Sequence, residues 1–379
     1  MSGEWGFDDE TGNGIPVLRT TNFTNEGVVD YKNVVTRTII KKNIDEKYLR
    51  PGDVIIEKSG GSDKQPVGRV VYFNGPEKTY LFNNFTGLLR VKDQTLWFPK
   101  YIFYSLYGNY RRGGTRAFEN KTTGLHNLKV DDYVSRYEIT ELDHKKQIEV
   151  CEYLDKIYKV IKLREEELQK LDDLIKARFV EMFGDPRSNP FGFSKSVLKD
   201  TCKVVTGNTP SRAVQEYYGN YVEWIKTDNI VSEMINPTKA TASLSEEGMK
   251  VGRTVDKDSI LMACIAGSIA SIGKVCVTDR TVAFNQQINA IVPEEYNILF
   301  LYVLLQLSKD YLVEDINMAL KGILSKSKLE EKEFIVPPME LQKQFADFVK
   351  QVDKSKVKVQ KALDETQKLF DSLMQQYFG

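Results

Sequence analysis

Few residues in this 379-residue chain have the types and spacing that catalysis requires. Only two histidines occur, His126 and His144, so histidine-based metal sites and nucleophilic triads have almost no candidate ligands or bases. No GxxxxGK(S/T) phosphate-binding loop is present, which argues against ATP hydrolysis by that route. A DNA amino-methyltransferase needs an Asn/Asp-Pro-Pro-aromatic loop, and Asn189–Phe191 lacks the second proline. We interpret both histidines as incidental.

A faint acid–acid–lysine set is the one nuclease-like feature. It consists of Asp53, Glu57 and Lys58. Residues 53–56 have the composition of an ordinary strand entry, so we do not assign the set to catalysis. The sequence therefore predicts a protein that is not an enzyme and that holds no metal ion or cofactor of its own.

Composition restricts where a binding surface can lie. The 53 basic and 53 acidic residues give a net charge of zero, so a basic surface for nucleic acid has to be local. Hydrophobic residues make up 41% of the chain, which is enough for real cores. No apolar run approaches the length of a transmembrane helix, and the four cysteines are too far apart for a CxxC metal knuckle. We predict a reducing, cytoplasmic location.

The elements that would position such a surface form an internal repeat. Six short motifs of the first half recur in the same order in the second half, and their offset falls from 207 to 195 residues. An ordered drift of this kind indicates a duplication with small deletions, and its long period predicts two domains. The matched ranges are 14–23 with 221–230, 52–56 with 257–261, 68–70 with 273–275, 82–84 with 284–286, 147–148 with 344–345 and 183–184 with 378–379.

Each half contains short β-type runs and then a long helix. Gly, Asn, Asp and Pro separate the β-type runs, and an apolar helical stretch follows at 100–107 and again at 298–307. Each globule is therefore predicted to be of mixed α+β type. No Gly or Pro interrupts residues 144–183, and a heptad seam from Leu154 to Met182 is apolar at seven of nine positions.

The last helix has a wider apolar face than a two-helix seam needs. Its seam from Phe345 to Gln376 is apolar at six of ten positions when Ala362 is not counted, beside a second apolar stripe. The stripe consists of Leu363, Phe370, Met374 and Tyr377. We expect it to face outward and bind a partner. The alternative is a coiled coil that only stabilises the fold. Charges between residues 145 and 181 cancel at nine basic and nine acidic, which argues against DNA binding by that helix.

Four segments resemble the specificity subunit of type I restriction–modification systems. They are residues 183–186, 205–210, 224–230 and 335–342. The order globule, helix, globule, helix covers nearly the whole chain and is more specific than any one motif. The resemblance implies an α+β fold in which two tandem mixed α/β target-recognition domains are joined by two long antiparallel coiled-coil helices, as a pseudo-twofold internal repeat.

The resemblance also implies partners. Each domain would read one half of a split double-stranded DNA target, while the helix pair sets the spacing and docks methyltransferase (modification) subunits. Those subunits would bring S-adenosylmethionine, and restriction motor subunits would bring ATP hydrolysis and its Mg²⁺. The chain itself would do no chemistry and would contact no membrane.

Domain limits follow from the repeat. We predict the first target-recognition domain at 1–143, a central spacer helix at 144–184, the second target-recognition domain at 185–338 and a C-terminal spacer helix at 339–379. Ser2–Gly3 aligns with Thr206–Gly207, so the counterpart of 191–205 would precede residue 1. We therefore expect the first domain to lack an opening element.

Candidate DNA contacts are the polar loop residues, because Arg, Lys, Asn and Gln read base edges while Lys, Arg, Ser and Thr hold phosphates. The best candidate is loop 108–121, with four basic residues against one acidic residue. The first-domain candidates are Arg19, Thr21, Asn22, Lys58, Ser59, Lys64, Gln65, Asn84, Arg111, Arg112, Arg116 and Lys121. The second-domain candidates are Thr206, Asn208, Thr209, Lys226, Asp228, Asn229, Ser268, Lys274, Gln286, Gln287 and Lys321.

Structural alternatives exist for these residues and for the function. The alternative for the basic loop is a solvated surface, and the alternative for the amides at 83–84 and 286–287 is hydrogen bonding to buried backbone. Trp224 is predicted to be core rather than a stacking platform. The alternative function is a coiled-coil adaptor that binds proteins and no DNA. Salt-dependent duplex binding separates the two functions, because phosphate contacts release counterions.

Overall fold

A computed structural model describes residues 1–41, 44–122, 125–231, 234–314, 316 and 322–379, with residues 121 and 122 described by their backbone alone. The chain divides into two units: unit 1 comprises Met1–Glu165 and Lys361–Gly379, and unit 2 comprises Glu166–Gln360. Each unit holds one globule and one part of each long helix. Because the unit limits fall inside the helices, the four predicted domain limits remain a prediction.

Unit 1 mixes small sheets with helices, as predicted. Its strands are β1 (Phe7–Asp8), β2 (Ile15–Leu18), β3 (Val35–Thr38), β4 (Val54–Glu57), β5 (Ser59–Gly61), β6 (Val70–Tyr72), β7 (Leu81–Phe82), β8 (Thr86–Leu89), β9 (Glu119–Thr122) and β10 (Leu125–Leu128). Its helices are α1 (Pro99–Arg111), α2 (Val130–Arg136), the first part of α3 (His144–Phe183) and the last part of α9 (Met339–Phe378). The strand orders are β1-β3-β2-β7, β6-β4-β8 and β5-β10-β9.

Strand β4 lies between two cores of unit 1. All four of its residues are buried. Side chains alternate between the faces of a strand, so Ile55 joins a core with Phe82, while Ile56 joins a second core with Tyr101 of α1 and Leu154 of α3. The continuous apolar run at 54–56 follows from this burial on both faces.

Unit 2 repeats this architecture with more strands. They are β11 (Lys195–Val197), β12 (Cys202–Thr206), β13 (Tyr218–Ile225), β14 (Ser243–Leu244), β15 (Thr254–Val255), β16 (Ile260–Ala263), β17 (Ile265–Ala266), β18 (Val275–Val277), β19 (Val282–Phe284), β20 (Ile288–Pro293), β21 (Gly322–Ile323) and β22 (Glu333–Ile335). The helices are the last part of α3, α4 (Leu198–Thr201), α5 (Glu246–Val251), α6 (Ile298–Leu307), α7 (Lys309–Val313), α8 (Lys326–Glu330) and the first part of α9 (Met339–Phe378). The strand orders are β12-β20-β16-β18, β14-β13-β19-β15, β11-β22 and β17-β21.

Strand pairing shows the internal repeat in register. In unit 1, β2 and β7 are parallel, with Leu18 opposite Phe82. In unit 2, β13 and β19 are parallel, with Ile225 opposite Phe284. These pairs match at the predicted offsets of 207 and 202 residues. The repeat is therefore confirmed at these two strands.

Two of the predicted offsets are wrong by one or two residues. The left-handed residue before β4 is Gly52 (φ 98°), and its counterpart before β16 is Asp258 (φ 65°), an offset of 206 rather than 205. The second error concerns Gln147, which we matched with Gln344. The backbone N–H of Phe98 donates to the Gln147 side chain at 2.8 Å, and that of Asn297 donates to the Gln342 side chain at 2.9 Å. Gln342 is thus the counterpart, at an offset of 195.

The two long helices are antiparallel within each unit, because later residues of α3 meet earlier residues of α9. In unit 1, Lys146 lies near Tyr377, and Arg164 donates to the Thr366 hydroxyl. In unit 2, the Lys356 ammonium lies 2.5 Å from Asp172, and the ring centroids of Phe179 and Phe345 are 5.4 Å apart. No described helix has both the length and the apolar character needed to cross a membrane.

The apolar stripe of the last helix does not face outward, so that prediction is wrong. Phe370 is 3% exposed and Met374 is 5% exposed, and both belong to the core that contains Tyr101. Leu363 and Tyr377 pack against the same core. The physical reason is that the last part of α9 is a structural element of unit 1, where helix α1 covers its apolar face.

The opening element differs between the units. In unit 2, β12 pairs with β20 over five residues, from Cys202 opposite Pro293 to Thr206 opposite Asn289. In the described part of unit 1, Met1 and Ser2 occupy the corresponding place: the Leu88 N–H donates to the Met1 carbonyl at 2.9 Å, and Ser2 bridges to Gly87. The sheet of β4 accordingly has three strands, whereas that of β16 has four.

Candidate nucleic-acid interface

A short turn follows the same strand in both units. The turn after β2 spans Thr20–Asn22, and the turn after β13 spans Thr227–Asn229. Each ends in a buried asparagine whose side-chain oxygen accepts from the backbone N–H three residues earlier, at 3.0 Å in both units. Asn22 and Asn229 are thus structural, and their prediction as DNA contacts is wrong. The asparagines hold the turns, which leaves Thr21 and Asp228 exposed at the tips and Arg19 and Lys226 half-buried beside them.

A second polar segment of unit 1 lies around Lys58. Its ammonium donates to the Ser2 hydroxyl at 2.9 Å. The backbone N–H groups of Lys58 and Ser59 both donate to the Phe85 carbonyl, so β5 and the loop at 83–85 are held together. Asn84 is exposed, and the neighbouring Phe85 is 51% exposed. Phe85 is a candidate stacking residue that the sequence analysis missed, although an aromatic after two asparagines was a visible signal.

The predicted basic loop lines a cavity of about 620 Å³ in unit 1, the basic cavity. Two of its arginines are engaged by helix α9: the Arg111 guanidinium lies 3.0 Å from the Asp371 carboxylate, and Arg112 donates to the Phe378 carbonyl. Their side chains therefore anchor the helix, which weakens the prediction that they contact DNA. The cavity is lined by Asn25, Lys64, Gln65, Pro66, Tyr110, Arg111, Arg112, Gly113 and Arg116.

Three exposed residues of the basic cavity remain available to a ligand. Arg116 donates only a long bond, 3.3 Å, to the Asp63 carbonyl. Gln65 donates to the Asn25 side chain at 3.2 Å, and Lys64 is exposed beside it. Burial raises the pKa of the Tyr110 hydroxyl, so the ring that backs the cavity stays neutral. The arrangement suits an anion such as a phosphate group. Lys321 lies outside the described residues, as does the side chain of Lys121.

The corresponding loops of unit 2 expose hydroxyl and amide groups. Thr206 donates to the Asn289 side chain at 2.8 Å, and Thr209 donates to Gln286. Thr206, Thr209, Gln286 and Ser268 are all exposed. This surface has polar groups that can pair with bases, and its described residues do not form a cluster of cations like that of the basic cavity.

Three other predicted contacts of unit 2 have different surroundings. Asn208 donates to the Val251 carbonyl at 2.9 Å and accepts from the Arg253 N–H at 2.8 Å, so its amide is already used by backbone groups, and its role as a DNA contact stays a prediction. Gln287 is half-buried and accepts from the Asn285 amide at 3.1 Å. Lys274 lines a separate cavity of about 350 Å³ between α3, α6 and α9. There burial raises the pKa of the Asp353 carboxyl, a further lining residue.

Trp224 is a core residue, as predicted. Its side chain is 3% exposed, and its indole N–H donates to the Asn208 carbonyl at 3.3 Å. The Lys226 ammonium lies 5.3 Å from the ring centroid. This cation–π contact orients Lys226 at the base of its turn and excludes the ring as a stacking platform.

Both acidic residues of the nuclease-like set form ion pairs with arginines. Arg90 makes a bidentate contact with Asp53, with both distances at 2.7 Å, and Arg69 does the same with Glu57, with both at 3.1 Å. Among the described residues, no three His, Cys, Asp or Glu side chains form a group that would hold a metal ion.

The stripe on α9 is at least partly buried, but several apolar side chains of α3 are exposed. Tyr153 is 57% exposed and Leu163 is 53% exposed in unit 1, with Val160 between them at 38%. Leu174 and Val180 are exposed in unit 2. An exposed apolar row on a helix marks an interaction surface, so this row replaces the α9 stripe as the candidate partner site.

Comparison with known proteins gives a consistent family. Residues 190–366 match the family model described as the type I restriction modification DNA specificity domain. The type I restriction enzyme HindI specificity subunit of Haemophilus influenzae is 32% identical over 120 residues, 31% of this chain and 25% of that protein. The MjaIX specificity subunit of Methanocaldococcus jannaschii is 27% identical over 162 residues, 41% of this chain and 37% of that protein. The chain thus matches between a quarter and two fifths of the length of these curated relatives.

Solved structures show the same fold over the whole chain. The crystal structure of a type I restriction–modification S subunit from M. genitalium has a TM-score of 0.59 and 15% identity, and the match covers 100% of this chain and 93% of that one. A chain from a structural study of complex assembly and conformational transition of the type I system has a TM-score of 0.55 and 15% identity, covering 100% and 94%. The predicted α+β fold with two domains is therefore confirmed.

Proposed function

Because the chain belongs to the specificity subunits of type I restriction–modification systems, we propose that it reads double-stranded DNA for such a complex. One observation carries the proposal: the same strand-and-turn element occurs in both units, with a buried asparagine below and exposed polar side chains at the tip. Different tip residues on one scaffold are what two readers of unrelated half-sites require. We propose that unit 1 reads one half-site and unit 2 the other.

The proposed contacts of unit 1 divide into two kinds. Arg116 and Lys64 border the basic cavity and suit phosphate groups, which fix the register of a protein on the duplex. Thr21, Asn84 and Gln65 carry exposed hydroxyl or amide groups that can pair with base edges. In unit 2 the base-reading role falls to the exposed Thr206, Thr209, Asp228, Ser268 and Gln286.

We also propose that methyltransferase subunits dock on α3. The exposed apolar row of Tyr153, Val160 and Leu163 supports this, because a helix in water gains stability when such a row is covered. S-adenosylmethionine, ATP and Mg²⁺ would then act in the partner subunits, while this chain supplies recognition alone. Two features support a role without catalysis: the carboxylates of Asp53 and Glu57 are paired with arginines, and the four cysteines are buried and free. The free thiols also support a cytoplasmic location.

Salt-dependent binding to duplex DNA tests the proposal. The chain should be titrated into fluorescently labelled genomic fragments, with and without its cognate methyltransferase subunits. A DNA reader with six or more phosphate contacts loses about a thousandfold in affinity between about 50 and 200 mM salt. Assembly with the methyltransferase but no binding to DNA at any salt concentration would support the coiled-coil adaptor instead.

A further inference from the structure

We propose that Glu57 and Arg69 are positioning residues for the first half-site. The pair, here the Glu57–Arg69 pair, touches no DNA. It fixes the Thr20–Asn22 turn against strand β5, so that two predicted DNA-contacting segments keep one geometry. The inference rests on the proposed function for its effect on DNA reading, and on contacts within unit 1 for the positioning itself.

Arg69 binds both Glu57 and the Thr20–Asn22 turn. Its Nε and Nη2 donate to the two carboxylate oxygens of Glu57, both at 3.1 Å. Its Nη1 also donates to the Phe23 carbonyl and its Nη2 to the Thr20 carbonyl, again both at 3.1 Å. The two side chains are 16% and 3% exposed, so water does not compete for most of these bonds. A planar guanidinium with five donors makes such a fork, and the single ammonium of a lysine does not.

The carboxylate of the pair lies next to the second segment. Glu57 is the last residue of β4, and Lys58 with strand β5 follows at once. Gly60 in β5 has φ +127°, and a Cβ there would lie 3.3 Å from the Glu57 Oε1 atom. The Glu57 carboxylate therefore lies beside Gly60 of β5, while its partner Arg69 binds the Thr20 carbonyl of the turn.

The described residues of unit 2 contain no counterpart of the Glu57–Arg69 pair. The counterpart of Arg69 is Lys274, at the offset of the Gly68–Val70 motif. The counterpart of Glu57 is Ala263, because Glu57 pairs with Thr86 just as Ala263 pairs with Ile288. An alanine and a lysine cannot form the fork, so loss of the pair should disturb one half-site and leave the other unchanged.

A matched control stands at the opposite end of the same strand. Arg90 makes the same fork with Asp53, at 2.7 Å for both contacts. It also donates to the carbonyls of Glu46 at 3.0 Å and Tyr48 at 2.8 Å, and neither is a predicted DNA contact. Removing this pair takes away equivalent hydrogen bonds without touching the Thr20–Asn22 turn.

The test compares two charge-neutral double variants of the full chain, Glu57→Gln/Arg69→Gln and Asp53→Asn/Arg90→Gln. Double variants avoid leaving one buried charge unpaired, which would endanger folding. Hydrogen exchange is measured at the amides of Asn22 and Phe23, which close the turn. Separately, methylated sites are sequenced in a host that expresses each variant with the methyltransferase subunits. Arg69→Lys completes the set, because it keeps the charge but not the fork.

We expect the first variant to raise amide exchange in the turn about tenfold or more and to broaden base preference at one half-site only. Arg69→Lys should share this broadening. The control should leave turn exchange and both half-sites as in the wild type. Unchanged exchange and unchanged sites in the first variant would overturn the inference, as would equal broadening in the control. A wild-type chain that directs no methylation would overturn the proposed function, and with it the specificity part of the inference; the exchange result would still decide whether the pair positions the turn.

Discussion

Removing two cations from the basic cavity gives the sharpest test of where unit 1 contacts DNA. Lys64 and Arg116 are exposed, and the sole hydrogen bond of the Arg116 side chain in the described structure is the 3.3 Å contact to a carbonyl. The double change Lys64→Ala/Arg116→Ala should therefore alter the free energy of unfolding by no more than about 0.5 kcal/mol. Arg111 and Arg112 are unsuitable for this purpose, because their loss would also remove contacts to helix α9.

The expected effect on binding follows from counterion release. Each lost phosphate contact flattens the slope of log K against log salt by about 0.9, so two lost contacts flatten it by about 1.8. Over a fourfold rise in salt, from about 50 to 200 mM, the affinity ratio between wild type and variant should then shrink by about tenfold. Fluorescence anisotropy with the methyltransferase complex measures both slopes. The control is Lys354→Ala/Lys368→Ala, which removes two exposed lysines of α9. An unchanged slope in the first variant, or an equal change in the control, would refute the assignment.

Three further predictions concern the core, the thiols and the helices. Phe370→Asp buries an unpaired charge and should lower the free energy of unfolding of unit 1 by about 3–5 kcal/mol in urea titrations. Leu163→Asp, at an exposed site, should preserve stability and weaken assembly with the methyltransferase subunits. Normal stability of the Phe370→Asp variant would contradict the buried position of Phe370. Burial raises the pKa of the Cys202, Cys264 and Cys276 thiols from the ordinary value of 9.0 to about 12. Their contribution to the free energy of unfolding is therefore complete below pH 9.0 and is lost as the pH rises through 12. Native chain at pH 8 should react with a thiol reagent far more slowly than unfolded chain, and equal rates would contradict the burial of these thiols. Deleting one heptad from both α3 and α9 keeps the seam in register, so it should shorten the distance between the two half-sites by about 10 Å and leave both half-site sequences unchanged. An unchanged distance would contradict the prediction that the helix pair sets the spacing.

Much of the fold was predictable because local chemistry and tertiary pairing agree. The motif ending at Phe23 and the motif ending at Ile230 share a pattern, and their strands make the same parallel pairs. The long helices were predictable because neither Gly nor Pro interrupts them. The errors in the repeat are shifts of one or two residues, where a similar residue lies close to the true counterpart. At Gln147 only the hydrogen bond from the Phe98 N–H reveals that Gln342 is the counterpart.

The candidate site was less predictable, because residue type does not reveal burial. Asn22 has the chemistry to read adenine, yet its amide is used by three backbone groups: the Arg19 N–H and the carbonyls of Asp30 and Lys32. Phe370 was placed on an outward stripe because the sequence does not show that helix α1 packs there. Arg111 looked free for DNA, but its partner Asp371 is 260 residues away in the chain. Long-range partners of this kind carry no local sequence signal.

Sequencing of methylated sites in a host that expresses the chain with its methyltransferase subunits tests the central claim most directly. We predict methylation at a split target with two half-sites of unrelated sequence, because the exposed polar residues of the two units differ: Thr21 and Arg116 in one, Thr206 and Gln286 in the other. We also expect the modified sites to disappear when the chain is omitted. A continuous target, or the same modified sites without the chain, would contradict the claim that its two units read DNA.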